Sequence, residues 1–284
     1  MRIDAHQHFW KYNPARDTWI TDKMSALKRD FLPQEFAQEC KASGIDASIA
    51  VQADQSETET RFLLDLAEGN ESIAGVVGWV DLRSPAVAER LEFFSRFPKL
   101  RGFRHIVQAE PDDRFLLRED FMRGIAQLRP FGFTYDILIY PKQLPAAVEL
   151  VSKFPEQRFV IDHVAKPEVE TRNIGNWTQF MRRIAANKNV FCKASGLVTE
   201  ADWHAWKPDD FTPYLDVVFD AFGVDRLMFG SDWPVCLLAA SYRQVKQIIE
   251  AYTKDFRALD RARIFGGNAA QFYGLRAVSH GLAA

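Results

Sequence analysis

Two histidines near the start of the chain have residue types and a spacing that suit metal binding or proton transfer. His6 and His8 follow a short apolar run, and side chains two residues apart on a strand point to the same side. Far along the chain, another apolar run ends in the carboxylate of Asp232. If the two runs are neighbouring strands, both imidazoles and the carboxylate meet at one point. The alternative is a hydrogen-bonded pair of histidines on an edge strand, without a role in chemistry.

Eight short apolar runs alternate with amphipathic segments along the chain. They lie at residues 3–9, 47–53, 74–80, 100–107, 133–139, 158–163, 190–196 and 226–232. The runs are apolar on both faces, which is typical of parallel strands covered by helices. The pattern predicts an α/β fold, a TIM-type (β/α)8 barrel, as a single domain over residues 1–275 with a C-terminal tail at 276–284. The alternative is a doubly wound open sheet, but that fold needs a glycine-rich phosphate turn after the first strand, and His8-Phe9 is not one.

The strands of such a barrel end at its active site, so the polar and aromatic side chains at the predicted strand ends are candidate site residues. Besides the residues above, these positions hold Trp10, Trp79, Arg104, His105, Tyr135, His163, Lys166, Lys193 and Trp233. Lys193 is interpreted either as an anion-binding residue or as a structural partner of Asp162 or Asp232. The segment 10–32 is too long for an ordinary strand–helix connection, and we expect it to cover the mouth of the barrel.

The composition argues against several classes of partner. The 284 residues carry a net charge of −2, which gives no reason to expect nucleic acid, and the apolar runs are too short to span a membrane. The three cysteines are widely spaced and lack the spacing of a zinc site, which favours a reduced, cytoplasmic protein. We therefore expect a small-molecule partner, and the sequence leaves a homo-oligomer open.

The candidate residues suit the hydrolysis of an ester. Asp232 is the natural general base, with His6 and His8 holding it ionised and aiming it at a water molecule. Arg104 and His163 are placed to polarise a carbonyl group, a role that suits arginine because its charge persists at any working pH. The aromatic faces at the strand ends can cover the apolar face of a sugar ring.

Several stretches of the sequence resemble one superfamily. These are His-Gln-His at residues 6–8, Ile-Asp-His at 161–163, and Phe-Gly-Ser-Asp-Trp-Pro at 229–234. On these residues, and over its whole length, the chain resembles the amidohydrolase superfamily, in its branch of sugar lactonases. Residues 100–105, 193–203 and 229–238 are similar to the L-fuconolactonase and L-rhamnonolactonase members. The resemblance implies hydrolysis of an L-fucono-1,5- or 1,4-lactone to its aldonic acid, in L-fucose catabolism.

The chain also departs from the superfamily's pattern in a way that bears on metal binding. Binuclear amidohydrolases carry a bridging lysine or acid on strand four and a histidine on strand five, whereas this chain has Arg104-His105 and Tyr135-Asp136 there. A single divalent ion such as zinc could still bind to His6, His8, His163 and Asp232. The lactonase branch implies that catalysis does not require a metal.

The sequence thus gives two sets of candidate residues. The catalytic set is Asp232, His163, Arg104, His8 and His6, and the substrate-binding set is Trp10, Trp79, His105, Tyr135, Lys166 and Trp233. Two alternative functions remain, namely a mononuclear-metal decarboxylase of an aromatic acid and a catalytically inactive barrel that binds a sugar acid.

Overall fold

Eight parallel strands form the centre of the molecule, in a computed structural model that describes residues 1–275. The strands are β1 (Ile3–Gln7), β2 (Ala47–Val51), β3 (Ile73–Gly78), β4 (Leu100–Ile106), β5 (Thr134–Leu138), β6 (Phe159–Ile161), β7 (Val190–Ala194) and β8 (Leu227–Phe229). Each pairs in parallel with the next in chain order. The prediction of a (β/α)8 barrel is confirmed, and the tail at 276–284 lies outside the described residues.

The barrel closes between β1 and the residues that follow β8. His8 N donates to Trp233 O over 2.7 Å, and Asp232 N donates to His6 O over 2.9 Å. The closure therefore uses the backbone of the same residues that the sequence analysis singled out. It brings the C-terminal ends of the first and last strands together.

Helices cover the outside of the barrel between successive strands. They are α1 (Pro33–Ser43), α2 (Glu57–Glu68), α3 (Val87–Phe94), α4 (Glu119–Ala126), α5 (Leu144–Lys153), α6 (Gly175–Ala185), α7 (Thr212–Phe222) and α8 (Tyr242–Tyr252). Two short helices, α9 (Ala258–Ala262) and α10 (Asn268–Tyr273), follow. No helix in residues 1–275 combines the length and apolar character needed to cross a membrane.

Each strand ends one to three residues before its apolar run does, and the residues that follow the strand leave the sheet. Every residue of β1, β2 and β5 is buried, as strands packed on both faces require. The ends of the runs turn into loops instead, so their side chains are free to face the mouth of the barrel.

The long segment 10–32 begins where β1 ends and folds into a compact structure of its own. Trp10 and Phe31 exchange two backbone hydrogen bonds of 3.0 and 2.9 Å, and a 3-10 helix spans Asp22–Leu27 between them. The segment packs against residues 235–238, which follow β8. It therefore lies on the face where the strands end, beside the candidate site.

Candidate active site

Three imidazoles converge on one carboxylate oxygen at the end of the barrel. Asp232 Oδ1 lies 3.3 Å from His8 Nε2, 3.7 Å from His163 Nε2 and 3.8 Å from His6 Nε2. All four side chains are at most 5% exposed. The structure thus brings together the two histidines of the first strand, the histidine after the sixth and the carboxylate after the eighth.

Each histidine is also held on the side that faces away from Asp232. His8 Nδ1 lies 2.7 Å from Val51 O, and His6 Nδ1 lies 3.3 Å from Asp162 Oδ1. The Val51 carbonyl accepts from the Nδ1–H of His8. His6 Nδ1 instead faces both an acceptor, Asp162 Oδ1, and a donor, the Lys193 ammonium at 3.0 Å, so either tautomer of His6 has a partner on this side. Burial lowers the pKa of His6 well below its ordinary value, which favours the neutral ring.

His163 differs because its outer partner is a hydroxyl group. Its Nδ1 lies 2.9 Å from Ser195 Oγ, and a serine hydroxyl can either donate or accept. Burial lowers the pKa of His163 well below its ordinary value. The neutral ring can therefore present either a lone pair or an N–H toward Asp232, according to the rotation of the Ser195 hydroxyl.

An unusual turn places His163 in the site. Residues 163–166 have φ values of +52°, +47°, +58° and +47°, although none of them is glycine. The left-handed conformation costs about 1–2 kcal/mol per residue for ordinary amino acids. Such strain is typical of functional sites, and here it aims His163 and Lys166 from one short turn.

The charge of Asp232 suits a base that is ionised at neutral pH. Burial opposes its ionisation, but His163, His8 and Lys166 together hold the pKa of Asp232 below its ordinary value. A carboxylate in this state can accept a proton from a bound water molecule.

A layer of buried charges lies next to the histidines, deeper in the barrel. Lys193 Nζ is 2.9 Å from Asp162 Oδ1, 2.5 Å from Asp136 Oδ2 and 3.0 Å from His6 Nδ1. Of the two interpretations of Lys193, the structural one is confirmed, because Lys193 forms an ion pair with Asp162. Burial raises the pKa of Asp136 to about 6, whereas Lys193 and His6 overcome burial and hold the pKa of Asp162 well below its ordinary value.

Arg104 belongs to this layer and is already engaged by the chain. Its Nη1 lies 3.0 Å from Asp162 Oδ2 and 3.3 Å from His6 Nε2, and its Nη2 donates to Gln52 O. The side chain is 3% exposed. This placement favours an indirect role, in which Arg104 positions His6 and Asp162 and does not itself contact the substrate.

His6, His8 and Asp232 also fit a single divalent metal ion, because one ligand atom from each lies within 4.8 Å of the others. A tetrahedral zinc site with bonds of about 2.0 Å separates its ligand atoms by about 3.3 Å. Here His6 Nε2 and His8 Nε2 are 3.2 Å apart, and the distances to Asp232 Oδ1 reach 3.8 Å. The outward hydrogen bond of His8 to Val51 O matches those of metal-binding imidazoles. Arg104 Nη1, 3.3 Å from His6 Nε2, competes with a metal ion for the lone pair on that nitrogen.

The predicted substrate-binding residues divide into two groups by position. Lys166 lies at the rim, with its Nζ 2.6 Å from Glu200 Oε1, and the Trp10 ring centroid is 6.5 Å from that of His8. Trp79 is partly exposed at the end of β3, where its Nε1 donates to His105 Nδ1 over 3.3 Å.

The other three predicted residues are packed away from the histidine cluster. His105 stacks on Phe115, Tyr135 packs between Phe121 and Phe159, and Trp233 packs against Phe31 and Phe36. Their contact with substrate stays a prediction.

Several residues near the site received no role from the sequence, and Tyr273 and Glu200 are two of them. Tyr273 on α10 donates to Asp136 Oδ2 over 2.8 Å, and Glu200 pairs with Lys166. A charged residue within an apolar strand is a signal for buried partners; it pointed to Lys193 and could have pointed to Asp136 as its partner. No local signal identifies Tyr273, because its contact depends on where α10 packs.

Comparison with known proteins identifies the family to which this fold belongs. Residues 3–275 match the amidohydrolase family model. The chain is 44% identical to an L-fucono-1,5-lactonase of Burkholderia multivorans over 97% of its own length and 96% of the relative's. It is 38% identical to an L-fucono-1,5-lactonase of Burkholderia ambifaria, over 96% and 95% of the two chains.

A solved amidohydrolase structure from Burkholderia multivorans superposes with a TM-score of 0.94 at 44% identity, covering 97% of this chain and 100% of that one. A second crystal form of an amidohydrolase from that organism, with the same TM-score, contains bound zinc. Since the family match spans nearly the whole chain, this protein belongs to the amidohydrolase family.

Proposed function

We propose that the protein hydrolyses a sugar lactone of the L-fucono-1,5-lactone type to its aldonic acid. The observation that carries the proposal is the convergence of three imidazoles on the ionised Asp232. Two lactonase relatives at 44% and 38% identity over nearly the whole chain supply the substrate class. A role in L-fucose catabolism follows from that substrate class.

The reaction needs one base that later returns its proton. Asp232 takes a proton from a water molecule, whose oxygen bonds to the lactone carbonyl carbon while the π electrons move to the carbonyl oxygen. The tetrahedral intermediate re-forms the carbonyl and breaks the ring C–O bond. The leaving alkoxide takes the proton from Asp232, which regenerates the carboxylate. The new carboxylic acid then loses its own proton to solvent.

The neighbouring side chains support this sequence. When Ser195 donates to His163 Nδ1, the inward Nε2–H of His163 can donate to the carbonyl oxygen. His8, held by its hydrogen bond to Val51 O, orients the Asp232 carboxylate by donating to Oδ1 when its Nε2 carries a proton. Arg104, which the sequence analysis placed on the carbonyl, acts through Asp162 and His6 instead, since both of its terminal nitrogens already have partners.

The metal question is separate from the substrate question. A divalent ion held by His6, His8, His163 and Asp232 would polarise the carbonyl or acidify a bound water. We propose that the metal is not required, because a lactone is a reactive ester and Asp232 is already ionised. A cytoplasmic location and a homo-oligomeric state stay predictions.

A proton-release assay tests the proposal. Chelator-treated and zinc-loaded protein are compared on L-fucono-, L-rhamnono-, L-galactono- and D-arabino-lactones. Rapid turnover by the chelated sample supports a lactonase without a required metal. Turnover only with zinc keeps the substrate class and overturns the metal-free reaction. No turnover in either sample overturns the lactonase and favours the decarboxylase or the inactive sugar-acid-binding barrel.

A further inference from the structure

Lys166 occupies a distinct position among the cations around the site. It ends the left-handed turn that begins at His163, and its side chain is 13% exposed. Arg104 and Lys193 are 3% and 0% exposed, and each is paired with buried carboxylates. Of these three cations, Lys166 is the one that solvent, and hence a substrate, reaches most easily.

The backbone holds Lys166 close to the reacting centre. Lys166 lies three residues after His163 in the same left-handed turn, and its N–H donates to His163 O over 2.7 Å. In keeping with this position, Lys166 is among the groups that lower the pKa of Asp232. The loops after β5, β6 and β7 surround it, since Nζ lies 5.8 Å from the Tyr140 ring centroid and 2.6 Å from Glu200 Oε1. The ammonium group therefore has a fixed place on the wall of the mouth.

The proposed reaction twice creates negative charge on oxygens bonded to the lactone carbonyl carbon. The tetrahedral intermediate carries an oxyanion, and the product is a carboxylate. A preorganised cation beside these oxygens stabilises both, and it contributes most in a site that excludes water. His163 offers a neutral donor, so no other accessible cation among the groups described above performs this role.

We infer that Lys166 binds the lactone carbonyl oxygen, stabilises the oxyanion and then holds the product carboxylate. Glu200 positions the Lys166 ammonium and accepts a hydrogen bond from a sugar hydroxyl. This inference rests on the proposed lactonase function and names the oxyanion-binding group of that same site.

Glu200 suits the positioning role because its backbone is itself held. Glu200 N donates to Leu197 O over 3.2 Å, and Glu200 O accepts from Glu170 N over 3.0 Å. The second contact ties the loop after β7 to the loop that follows Lys166. The carboxylate also offsets the lysine charge, which limits how tightly the product anion is held and favours its release.

Two substitutions of opposite expected effect test the inference. Lys166→Met is expected to lower kcat/KM by about 10²–10³-fold, in the range measured for loss of an oxyanion donor. It should also weaken the binding of L-fuconate by at least about tenfold, the equivalent of about 1.4 kcal/mol, in calorimetry on chelator-treated protein. Glu200→Gln is expected to tighten L-fuconate binding, because the lysine charge is then no longer offset.

The signs of the two effects separate a functional pair from a structural one. A purely structural ion pair predicts weaker L-fuconate binding in both variants, and that result overturns the inference. Unchanged kcat/KM in Lys166→Met also overturns it, while the parent's turnover leaves the lactonase proposal intact. If the parent hydrolyses no lactone, the lactonase proposal itself fails.

Further variants guard against loss of folding. Lys166→Arg retains the charge and is expected to recover part of the L-fuconate affinity that Lys166→Met loses. If Lys166→Met does not fold, L-fuconate binding by Glu200→Gln still decides, because tighter binding supports the inference and weaker binding overturns it. Lys153→Met, which removes an exposed lysine from α5, should change neither turnover nor product binding.

Discussion

The imidazole of His163 lies directly against the backbone of Gly196. A Cβ atom at residue 196 would come within 2.6 Å of His163 Cβ, Cγ and Nδ1. Gly196 also has φ of +67°, which ordinary residues rarely adopt. Together with the Ser195 hydroxyl on Nδ1, this glycine fixes where the ring of His163 can stand.

Gly196→Ala should therefore displace His163 and reduce turnover. A shift of about 1 Å at a reacting group can cost about 10²-fold in rate, and we expect a loss of at least that size in kcat/KM. Steady-state lactone hydrolysis measures the loss of turnover, and thermal unfolding measures any loss of stability that accompanies it. The matched control is Gly44→Ala, which has φ of +63° but no atom within 4 Å of the added methyl group. Equal turnover in the two variants would contradict the steric argument.

Asp232→Asn should remove the general base while preserving the shape of the side chain. We expect kcat to fall by about 10²–10⁴-fold, the usual contribution of general-base catalysis, with a melting temperature within a few degrees of the parent's. Proton release and circular dichroism provide the two readouts. Asp255→Asn, on an exposed turn, is the control for loss of a carboxylate. Undiminished turnover would show that Asp232 is not the base.

The barrel and the histidine cluster could be predicted because both depend on simple periodicities. Apolar runs of strand length recur eight times, and closure of the barrel necessarily brings the ends of β1 and β8 together. The same alternation along strands explains why His105 and Tyr135 pack away from the histidine cluster. Arg104 and Asp136 face the interior, so their neighbours His105 and Tyr135 face the helices.

Other features have no local signal in the sequence. Val164 and Ala165 have no preference for positive φ, so the left-handed turn after β6 is imposed by the surrounding structure. The hydrogen bond from Tyr273 to Asp136 joins residues 137 positions apart and requires the packing of α10 beneath the barrel. Such contacts follow from tertiary structure, and single-sequence patterns do not contain them.

Arg104→Met should destabilise the fold as well as slow the reaction. The substitution leaves Asp162 with one of its two cationic partners and removes the donor to Gln52 O. Breaking a buried pair usually costs about 3 kcal/mol or more, and we expect a loss of that size in the free energy of unfolding in urea. Arg114→Met removes an exposed pair with Glu149 and should cost less than about 1 kcal/mol.

A double-mutant cycle with Asp162→Asn isolates the interaction of Arg104 with Asp162. Neighbours in one ionic network should show a coupling energy of at least about 0.5 kcal/mol. Additive effects, or a loss in Arg104→Met no larger than in Arg114→Met, would remove Arg104 from the structural layer and restore it as a candidate for direct contact with substrate.

Glu59 should make the stability of the fold depend on pH. It lies in the first turn of α2, is 3% exposed and accepts a hydrogen bond from Ala53 N, while Arg16, Asp17 and Asp54 are its charged neighbours. Burial raises the pKa of Glu59 to about 7, despite the opposing effects of Ala53 N and Arg16. The folded state therefore holds this proton more tightly than the unfolded chain does.

The sign of the effect follows from proton linkage. A raised folded pKa means that the contribution of Glu59 to stability is complete below the unfolded pKa and is lost as pH rises through about 7. At 1.36 kcal/mol per pKa unit, the loss amounts to at most about 3 kcal/mol. Glu59→Gln keeps the acceptor for Ala53 N but has no proton to lose, so its stability relative to the parent should rise between pH 5 and pH 8.

The difference between parent and variant is the quantity to measure, because Asp4 and Asp136 also have pKa values raised to about 6 and titrate in both proteins. Urea unfolding at several pH values gives this difference directly. Glu71→Gln, at an exposed position, should run parallel to the parent over the same range. If Glu59→Gln also runs parallel to the parent, Glu59 is ionised in the fold at every pH tested, and its burial does not govern the pH dependence.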